Sequence, residues 1–304
     1  MNVLVTGATG FIGRFLAEEL VRRGYAVSCL VRPSSNTEYL RTLPVRLIQS
    51  DLTDRGALKR VRGRFDLIFH CAGYVGNSPR QRAFKGNVIG TDRVFRLADR
   101  LGVARVVHLS SVAVVSGNPQ IPLTEDLPYA PTNYYGETKM QAEKIARWWR
   151  AAGIGVPILR PCMVYGRGEP HALPQLMWAL RHRCFPLLEE GRYTFHLVYV
   201  KTVVDALLFL LDHPEYDQEE FFIADQEAYS HGEVMRIMAE AMGVPVPWRV
   251  PRCLTGAACR VPVLGRQLKF FLKDREYCTG KLLDCGFRYR FSARDALRET
   301  VVPA

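Results

Sequence analysis

Short apolar runs alternate with segments of helical periodicity along the first half of the chain. Asn2–Thr6 is predicted to be a buried strand, and Arg14–Arg23 carries apolar residues on one helical face before Gly24 ends the helix. The same alternation predicts further strands at Ala26–Val31, Arg46–Gln49, Asp66–Cys71, Arg105–Ser110 and Val156–Arg160, and helices at Arg55–Val61, Val88–Leu101 and Tyr134–Ala152. The pattern indicates an α/β, doubly wound parallel-sheet Rossmann fold, in which ligands bind beyond the carboxyl ends of the strands.

The rhythm changes after Arg160, where prolines divide the chain into loops and short helices. Val200–Leu211 and His231–Met242 have helical periodicity, and Phe221–Ala224 is a predicted strand between them. We therefore predict an NAD(P)-binding domain over residues 1–165 and a smaller C-terminal substrate-binding part over residues 166–304. Within the latter, residues 195–225 are expected to return to the first domain.

Composition adds a basic charge to this picture. The 304 residues are 48% hydrophobic and 23% charged, and 41 Lys and Arg against 30 Asp and Glu leave a formal net charge of +11. Such a balance favours anionic partners, including phosphorylated cofactors. The sequence shows no leader, no apolar run of about 18 residues, no CxxC pair and no nucleic-acid-binding motif. We expect a cytoplasmic protein with free thiols, no metal site and no nucleic-acid partner.

A GxxGxxG turn joins the first predicted strand to the first predicted helix. Its glycines allow a tight turn, close approach of the backbone to a pyrophosphate and close packing of helix on strand. The helix N-terminus then offers unpaired N–H groups to the phosphates. The residues assigned to this cofactor-binding turn are Gly7, Gly10, Phe11, Ile12 and Gly13.

Arg32 ends the second predicted strand, where NAD-binding proteins usually carry an acidic residue for the ribose. No acid occurs between Glu19 and Glu38, and a guanidinium suits the 2′-phosphate of NADP. We therefore predict NADP as the cofactor and NAD as the alternative. Arg32 stacked on the adenine, or serving only as a surface charge, is the competing interpretation.

Further cofactor contacts are predicted at the ends of the next two strands. Asp51 and Leu52 follow the third strand, where Asp51 either accepts from the adenine amino group or caps a helix over Thr53–Val61. Cys71 and Ala72 end the fourth strand and are small enough for a nucleotide to lie against the backbone.

Tyr135 and Lys139 are four residues apart on a predicted helix and therefore share a face. A phenol has a pKa of about 10 and needs a shift of about 3 units to act as a base near neutral pH. A nearby ammonium and a cationic nicotinamide favour that shift. Ser111, chosen over Ser110, is the candidate for binding a substrate oxygen, with strand-end turn chemistry as the alternative. A second YxxxK at Tyr277–Lys281 contains glycine and is interpreted as chance.

With these motifs in order, the sequence resembles the extended short-chain dehydrogenase/reductase superfamily, which contains NAD(P)-dependent epimerases, dehydratases and 3β-hydroxysteroid dehydrogenases. The resemblance rests on residues 6–13, 110–114, 135–139 and 160–166. It implies a catalytic triad of Ser111, Tyr135 and Lys139, in which Tyr135 moves the proton and Lys139 holds the nicotinamide ribose. It also implies that Pro161, Met163 and Val164 flank the nicotinamide, and that a homodimer forms through the helices at 88–101 and 134–152.

Substrate choice is argued from Phe195. Nucleotide-sugar members of the superfamily carry an arginine at the equivalent place, which binds the diphosphate. An apolar residue there favours an NADP-dependent oxidoreductase acting on a secondary alcohol or ketone, sterol-like in character. A nucleotide-sugar epimerase or dehydratase is the alternative, with Arg167, Arg181 or Arg192 supplying the cation, and a non-enzymatic dinucleotide sensor is the third hypothesis.

The segment from Arg252 to Arg275 mixes six basic residues with apolar ones and has a single acid, Asp274. A basic amphipathic segment of this kind is typical either of peripheral contact with a membrane surface or of an element packed inward with a solvated basic face.

Overall fold

The computed structural model describes residues 1–54, 56, 58–250 and 272–302. The chain forms two compact units. The first consists of Met1–Asn118, Glu125–Pro161 and Val203–Ile223, and the second of Pro119–Thr124, Cys162–Thr202 and Ala224–Ala304.

The helices and strands follow one another as the alternating pattern predicts. In chain order they are β1 (Asn2–Thr6), α1 (Phe11–Arg22), β2 (Ala26–Val31), α2 (Glu38–Arg41), β3 (Arg46–Gln49), β4 (Leu67–His70), α3 (Arg80–Ala83), α4 (Gly90–Leu101), β5 (Val106–Leu109), α5 (Tyr134–Ala151), β6 (Ile158–Pro161), β7 (Met163–Tyr165), α6 (Leu173–Arg181), β8 (Leu187–Leu188), β9 (Leu197–Tyr199), α7 (Val200–Asp212), β10 (Glu220–Ile223), α8 (His231–Met242), β11 (Arg249–Val250), α9 (Gly280–Asp284) and α10 (Ala293–Val301).

The first unit is built on a seven-stranded parallel sheet in the order β10-β6-β5-β4-β1-β2-β3. The strand order reverses between β1 and β4, where Thr6 pairs with His70. This is the topological switch point at which doubly wound sheets bind nucleotides. Strands β4 and β5 are buried along their whole length, as expected of a parallel sheet covered on both faces. The predicted Rossmann fold is confirmed.

Several predicted boundaries are wrong, each for a local reason. α1 begins at Phe11 rather than Arg14, because Gly10 leaves the turn in an extended conformation and acts as the N-cap. The α-helix expected from Val88 begins at Gly90, because Val88 still belongs to a π-helix that spans Phe84–Ile89. In the described part of the predicted helix Arg55–Val61, only Leu58–Arg60 is helical, as a single 3₁₀ turn.

Strand ends also shift by one or two residues from their predicted positions, because pairing with the neighbouring strand decides where a parallel strand stops. The strands expected at Asp66–Cys71 and Arg105–Ser110 are each shorter by one residue at both ends. Those expected at Val156–Arg160 and Phe221–Ala224 run over Ile158–Pro161 and Glu220–Ile223.

The second unit contains two small parallel pairs, β7 with β9 and β8 with β11. Its helix α8 has the predicted bounds, with a capping box formed by Ser230 and Glu233 at its start. Residues 252–271 of the predicted basic segment lie outside the described residues. Among the helices that the structure describes, none combines the length and the apolar composition needed to cross a membrane.

Candidate active site

The glycine turn packs directly on the end of β4. Gly7 has a φ of +76°, and a Cβ atom there would lie 2.5 Å from the backbone nitrogen of Ala72. A Cβ on Gly13 would overlap the carbonyl of Gly7, so the backbone of α1 packs directly against the backbone of the turn, with no room for a side chain between them. Because α1 begins at Phe11, the N–H groups of Phe11 and Ile12 lie in its first turn, where a helix leaves them unpaired and suited to phosphate.

Cys71 and Ala72 follow β4 and are held to β1 by backbone donors. The Cys71 N–H donates to the Thr6 carbonyl at 3.2 Å, and the Ala72 N–H donates to the Thr6 hydroxyl at 3.3 Å. Burial raises the pKa of the Cys71 thiol to about 12, so it stays protonated at neutral pH. The backbone of this segment is therefore a fixed wall beside the glycine turn.

Arg32 and Asp51 follow two strands that pair in register, since Val31 of β2 lies opposite Gln49 of β3. The Arg32 side chain is exposed. The Asp51 carboxylate accepts from the N–H of Thr53 at 2.7 Å and from its hydroxyl at 2.8 Å. Asp51 therefore closes a turn, and its predicted role as the cap of a helix from Thr53 is wrong because no helix begins there. Leu52 is buried beside it.

Ser111 and Tyr135 meet where the start of α5 packs against the residues after β5. The Ser111 hydroxyl accepts from the N–H of Ala113 at 3.2 Å and caps a 3₁₀ turn at Val112–Val114. A Cβ on Gly136 would lie 2.7 Å from the carbonyl oxygen of Ala113, so only glycine permits this approach. Burial raises the pKa of the Tyr135 phenol, and a hydrogen bond with the Ser111 hydroxyl acts in the opposite direction.

Lys139 lies one turn further along α5 and is buried. Its ammonium donates to the Leu109 carbonyl at the end of β5, over 2.7 Å. Burial lowers the pKa of Lys139 to about 8, against the opposing influence of Glu143. Glu143 is itself fully buried in an ion pair with Arg160 at 2.7 Å. Lys139 therefore remains mainly protonated at neutral pH, with its ammonium at the end of β5.

The second YxxxK pattern does not reproduce this arrangement. Tyr277 precedes α9 and forms an isolated parallel bridge with Leu123, whereas Lys281 lies within the helix. The two side chains therefore do not share a helical face, in keeping with the interpretation of that pattern as chance.

Sequence reasoning missed a buried polar group next to these residues. His70 contacts Thr6 at 2.8 Å and Thr91 at 3.0 Å, through its two ring nitrogens. Asn87 donates to the Thr138 hydroxyl at 2.9 Å, so it is a bridge between helices. Thr138 lies within the YxxxK pattern, which predicts its position on α5 but not its hydrogen bond with Asn87.

The remaining predicted residues are divided between the units. Pro161 ends β6 in the first unit, while Met163 and Val164 lie on β7 in the second, where Met163 is 41% exposed. Phe195, also in the second unit, is half-buried and meets the ring of His231 edge to face, with centroids 5.5 Å apart.

The three arginines named as alternative cations, Arg167, Arg181 and Arg192, differ in their surroundings. Arg167 donates to the Val302 carbonyl at 2.8 Å, and Arg192 pairs with a glutamate at 2.8 Å. Arg181 ends α6 and is exposed. Arg275 forms a parallel bridge with Phe195, and burial lowers its pKa. The sequence pattern marks Arg275 only as the end of the basic segment and does not indicate its place beside Phe195.

Curated relatives share about a quarter to a third of their residues with this chain. A 4-hydroxy-2-methyl-3-oxo-4-farnesyl-3,4-dihydroquinoline-1-oxide ketoreductase of Stigmatella aurantiaca is 29% identical, over 80% of this chain and 74% of that protein. Sterol demethylase protein B of Methylococcus capsulatus is 29% identical, over 95% and 90%. A 3 beta-hydroxysteroid dehydrogenase/Delta 5-->4-isomerase of Mycobacterium tuberculosis is 30% identical, over 89% and 76%.

Solved structures agree with the fold. A UDP-galactose 4-epimerase matches with a TM-score of 0.80 at 25% identity, covering 99% of this chain and 97% of that one. MoeE5 in complex with UDP-glucose and NAD matches with a TM-score of 0.79 at 26% identity, with the same coverage. The sequence pattern of one enzyme family spans residues 3–224, which include the glycine turn, Tyr135 and Lys139. The chain belongs to the NAD dependent epimerase/dehydratase family.

Proposed function

We propose that this protein is an NADP-dependent oxidoreductase that transfers hydride to or from a secondary alcohol or ketone. The observation that carries the proposal is the arrangement of Tyr135 and Lys139 one turn apart on α5, with Ser111 beside Tyr135. A phenol, an ammonium and a hydroxyl so arranged suit proton transfer at an oxygen that is gaining or losing its C–H hydride.

The three side chains take different parts in this proposal. When bound, the nicotinamide supplies or accepts the hydride. Ser111 donates to the substrate oxygen and orients it, while the Tyr135 hydroxyl gives its proton to that oxygen in reduction and takes it back in oxidation. Because burial raises the Tyr135 pKa, the positive charge of Lys139 is needed to bring it toward neutral pH. Lys139 also contacts the nicotinamide ribose.

Preference for NADP rests on Arg32. Arg32 is exposed and directly follows β2. It occupies the position at which NAD-binding proteins usually carry an acidic residue that bonds the ribose hydroxyl. The adenosine of the cofactor would lie across the ends of β2 and β3, near Asp51 and Leu52. The glycine turn, with Cys71 and Ala72 behind it, would hold the pyrophosphate.

An apolar, sterol-like substrate is favoured by Phe195 and by the names of the relatives, two of which refer to sterols or steroids. Phe195 packs against His231, whose pKa burial lowers to about 4, so this pair of rings is aromatic and uncharged at neutral pH. Pro161, Met163 and Val164 would flank the nicotinamide.

Tyr135→Phe tests the proposal directly. Turnover of NADPH with a panel of hydroxysteroids and apolar ketones should fall about 10²- to 10⁴-fold, because the general acid is lost. Cofactor affinity, measured by NADPH fluorescence, should persist, since the phenyl ring keeps its packing. Turnover like that of the unmodified protein would show that Tyr135 is not the proton donor.

A nucleotide-sugar epimerase or dehydratase is the second candidate, because Arg275 lies beside Phe195 and a structural neighbour holds UDP-glucose. In this case Arg275→Gln should abolish UDP-glucose binding in calorimetry, whereas Arg288→Gln, which removes an exposed arginine on the same unit, should not. Under the leading proposal the unmodified protein does not bind UDP-glucose tightly. Phe195→Arg should then weaken binding of an apolar ketone, because it sets a charge against an apolar surface.

A further inference from the structure

A series of hydrogen bonds, joined through the backbone and the side chain of Asn87, runs through the interior of the first unit from the strand before the glycine turn to the helix that carries Tyr135. Thr6 contacts His70 at 2.8 Å, and His70 contacts Thr91 at 3.0 Å. Asn87 then contacts Thr138 at 2.9 Å. All five side chains are buried, and Thr6, His70 and Thr138 are each completely enclosed.

The direction of each bond follows from the number of protons that each group owns. The single hydroxyl proton of Thr91 goes to the backbone carbonyl of Asn87 at 2.5 Å, so the Thr91 oxygen must accept from Nε2–H of His70. A neutral imidazole then has a bare Nδ1, which accepts the hydroxyl proton of Thr6. Burial supports the neutral form, since it lowers the pKa of His70 to about 3.

Both ends of the chain reach residues of the proposed active site. At one end, the Thr6 oxygen accepts from the N–H of Ala72, which packs against Gly7. At the other, Thr138 donates its proton to the carbonyl of Tyr135 at 2.8 Å. Asn87 also holds the backbone of Tyr74 from both sides, accepting from its N–H at 2.6 Å and donating to its carbonyl at 3.1 Å.

We propose that His70, as the neutral Nε2–H tautomer, is a positioning residue that fixes the glycine turn and the start of α5 relative to each other. Along this path each proton has one acceptor. The Nδ1–H tautomer would instead set a bare Nε2 against the Thr91 oxygen, two acceptors with no proton between them, because the Thr91 proton is already donated to the Asn87 backbone carbonyl. The imidazole touches neither substrate nor cofactor. Its role is to hold the dinucleotide-binding turn at a set distance from Tyr135, and in that respect it rests on the proposed function.

His108 provides a matched control. It lies opposite His70 on the neighbouring strand, with ring centroids 5.3 Å apart and similar burial. Neither of its ring nitrogens has a hydrogen-bond partner within the described residues. His108→Phe therefore changes a buried histidine of the same size without breaking the chain, whereas His70→Phe breaks it at two bonds.

The first measurement is cofactor affinity, for whichever of NADPH and NADH the unmodified protein binds more tightly. We expect His70→Phe to raise the dissociation constant about tenfold and His108→Phe to change it less than about twofold. Thr6→Val and Thr138→Val should each raise it about three- to tenfold. Thr6 and Thr138 do not contact each other, so if their effects were independent the two increases in dissociation constant would multiply in the double variant. If both residues act through one positioning chain, the dissociation constant of the double variant should be at most about twice that of the more weakly binding single variant.

Multiplying effects in the double variant, or equal losses in the two histidine variants, would overturn the proposal. The second measurement needs no cofactor: nitrogen-15 NMR of the imidazoles, with His70 assigned through His70→Phe. We expect a protonated Nε2 and a bare Nδ1 from pH 5 to 9, and a protonated Nδ1 would contradict the proposal. Failure of the unmodified protein to bind either dinucleotide would count against the proposed function, while the NMR result would still decide the tautomer.

Discussion

At the scale of single residues, charge and hydrogen-bonding capacity give the first unit its proposed chemistry. Burial raises the pKa of the Tyr135 phenol, and its hydrogen bond with the Ser111 hydroxyl acts in the opposite direction. Lys139 lies one turn further along α5, with its ammonium on the Leu109 carbonyl. Lys139 in turn keeps its proton near neutral pH because Glu143 opposes the cost of burying it. Tyr135 is thus expected to become an effective base only when a cationic nicotinamide adds its charge.

The proposed preference for NADP depends on one residue, Arg32. Arg32→Ala should weaken NADP binding about 10- to 150-fold and leave NAD binding nearly unchanged, because a guanidinium–phosphate pair contributes about 1.5–3 kcal/mol. Arg41→Ala is a suitable control, since Arg41 is an exposed arginine of α2 that donates to the neighbouring Thr37 hydroxyl. Calorimetric titration with both dinucleotides measures the difference. Equal loss of the two cofactors would indicate that Arg32 stacks on the adenine instead.

The proximity of residues could be predicted from sequence where spacing alone brings groups together. Tyr135 and Lys139 share a face because they are four apart on a helix, and the glycines of the turn stand at fixed intervals. The partners of His70 could not be predicted, because Thr6 and Thr91 reach it from another strand and a helix, respectively. Arg275 was missed as a neighbour of Phe195 because 80 residues separate them in sequence and only the fold brings them together, as an isolated bridge.

At the scale of elements, the start of α5 determines where Tyr135 lies relative to Ser111. Asn133 caps it by accepting from the Gly136 N–H at 2.9 Å, and the absence of a side chain at Gly136 lets the helix approach Ala113. Together these contacts hold Tyr135 against the segment that carries Ser111. The local sequence thus specifies both where the helix begins and how closely it packs.

Gly136→Ala tests that packing. The added Cβ would lie 2.7 Å from the Ala113 carbonyl, so the start of α5 must move away, and activity should fall at least about tenfold. Gly90→Ala makes the same change at the start of α4, where the nearest atom would be at 3.6 Å. It should have little effect on turnover. Comparable turnover in the two variants, both measured on folded protein, would argue against close packing as the requirement at Gly136.

Elements themselves differed in how far the sequence predicted them. β1, β2, β3 and α8 have the predicted bounds, because apolar runs and a capping serine mark their ends. The π-helix at Phe84–Ile89 had no such mark, since periodicity does not separate a π-helix from the α-helix it leads into. Asp51 accepts a hydrogen bond within a turn and does not cap a helix, because the described residues between it and β4 contain only the single 3₁₀ turn at Leu58–Arg60.

At the scale of the whole molecule, regular alternation made the first unit predictable, and its loss after Arg160 hid the organisation of the second. There a single carboxylate, Asp225, joins several segments. Its oxygens accept from the Tyr199 N–H at 2.9 Å and from the Tyr165 hydroxyl at 2.7 Å. Its backbone carbonyl accepts from the His196 ring at 2.7 Å. Contacts of this kind depend on the tertiary fold and leave no periodic pattern in the sequence.

Asp225 also makes stability depend on pH. Burial raises the pKa of Asp225 to about 6, against about 3.9 in an unfolded chain. A raised carboxyl pKa means that the folded state binds the proton more tightly. The stability it contributes is therefore complete below pH 4 and is lost as pH rises through 6.

Asp225→Asn removes this titration while keeping the shape and an acceptor for the Tyr199 N–H. The Tyr165 hydroxyl can still donate to the Ala293 carbonyl at 3.2 Å, so the variant should fold. Between pH 7.5 and 5 the unmodified protein should gain about 1 kcal/mol of unfolding free energy relative to Asp225→Asn, because about one pKa unit of the shift is realised over that interval. Urea unfolding of both proteins at each pH measures the difference. A gap between the two proteins that does not change with pH would mean that Asp225 keeps its ordinary pKa in the folded chain, and that its bonds to Tyr199 and Tyr165 offset the cost of burying its charge.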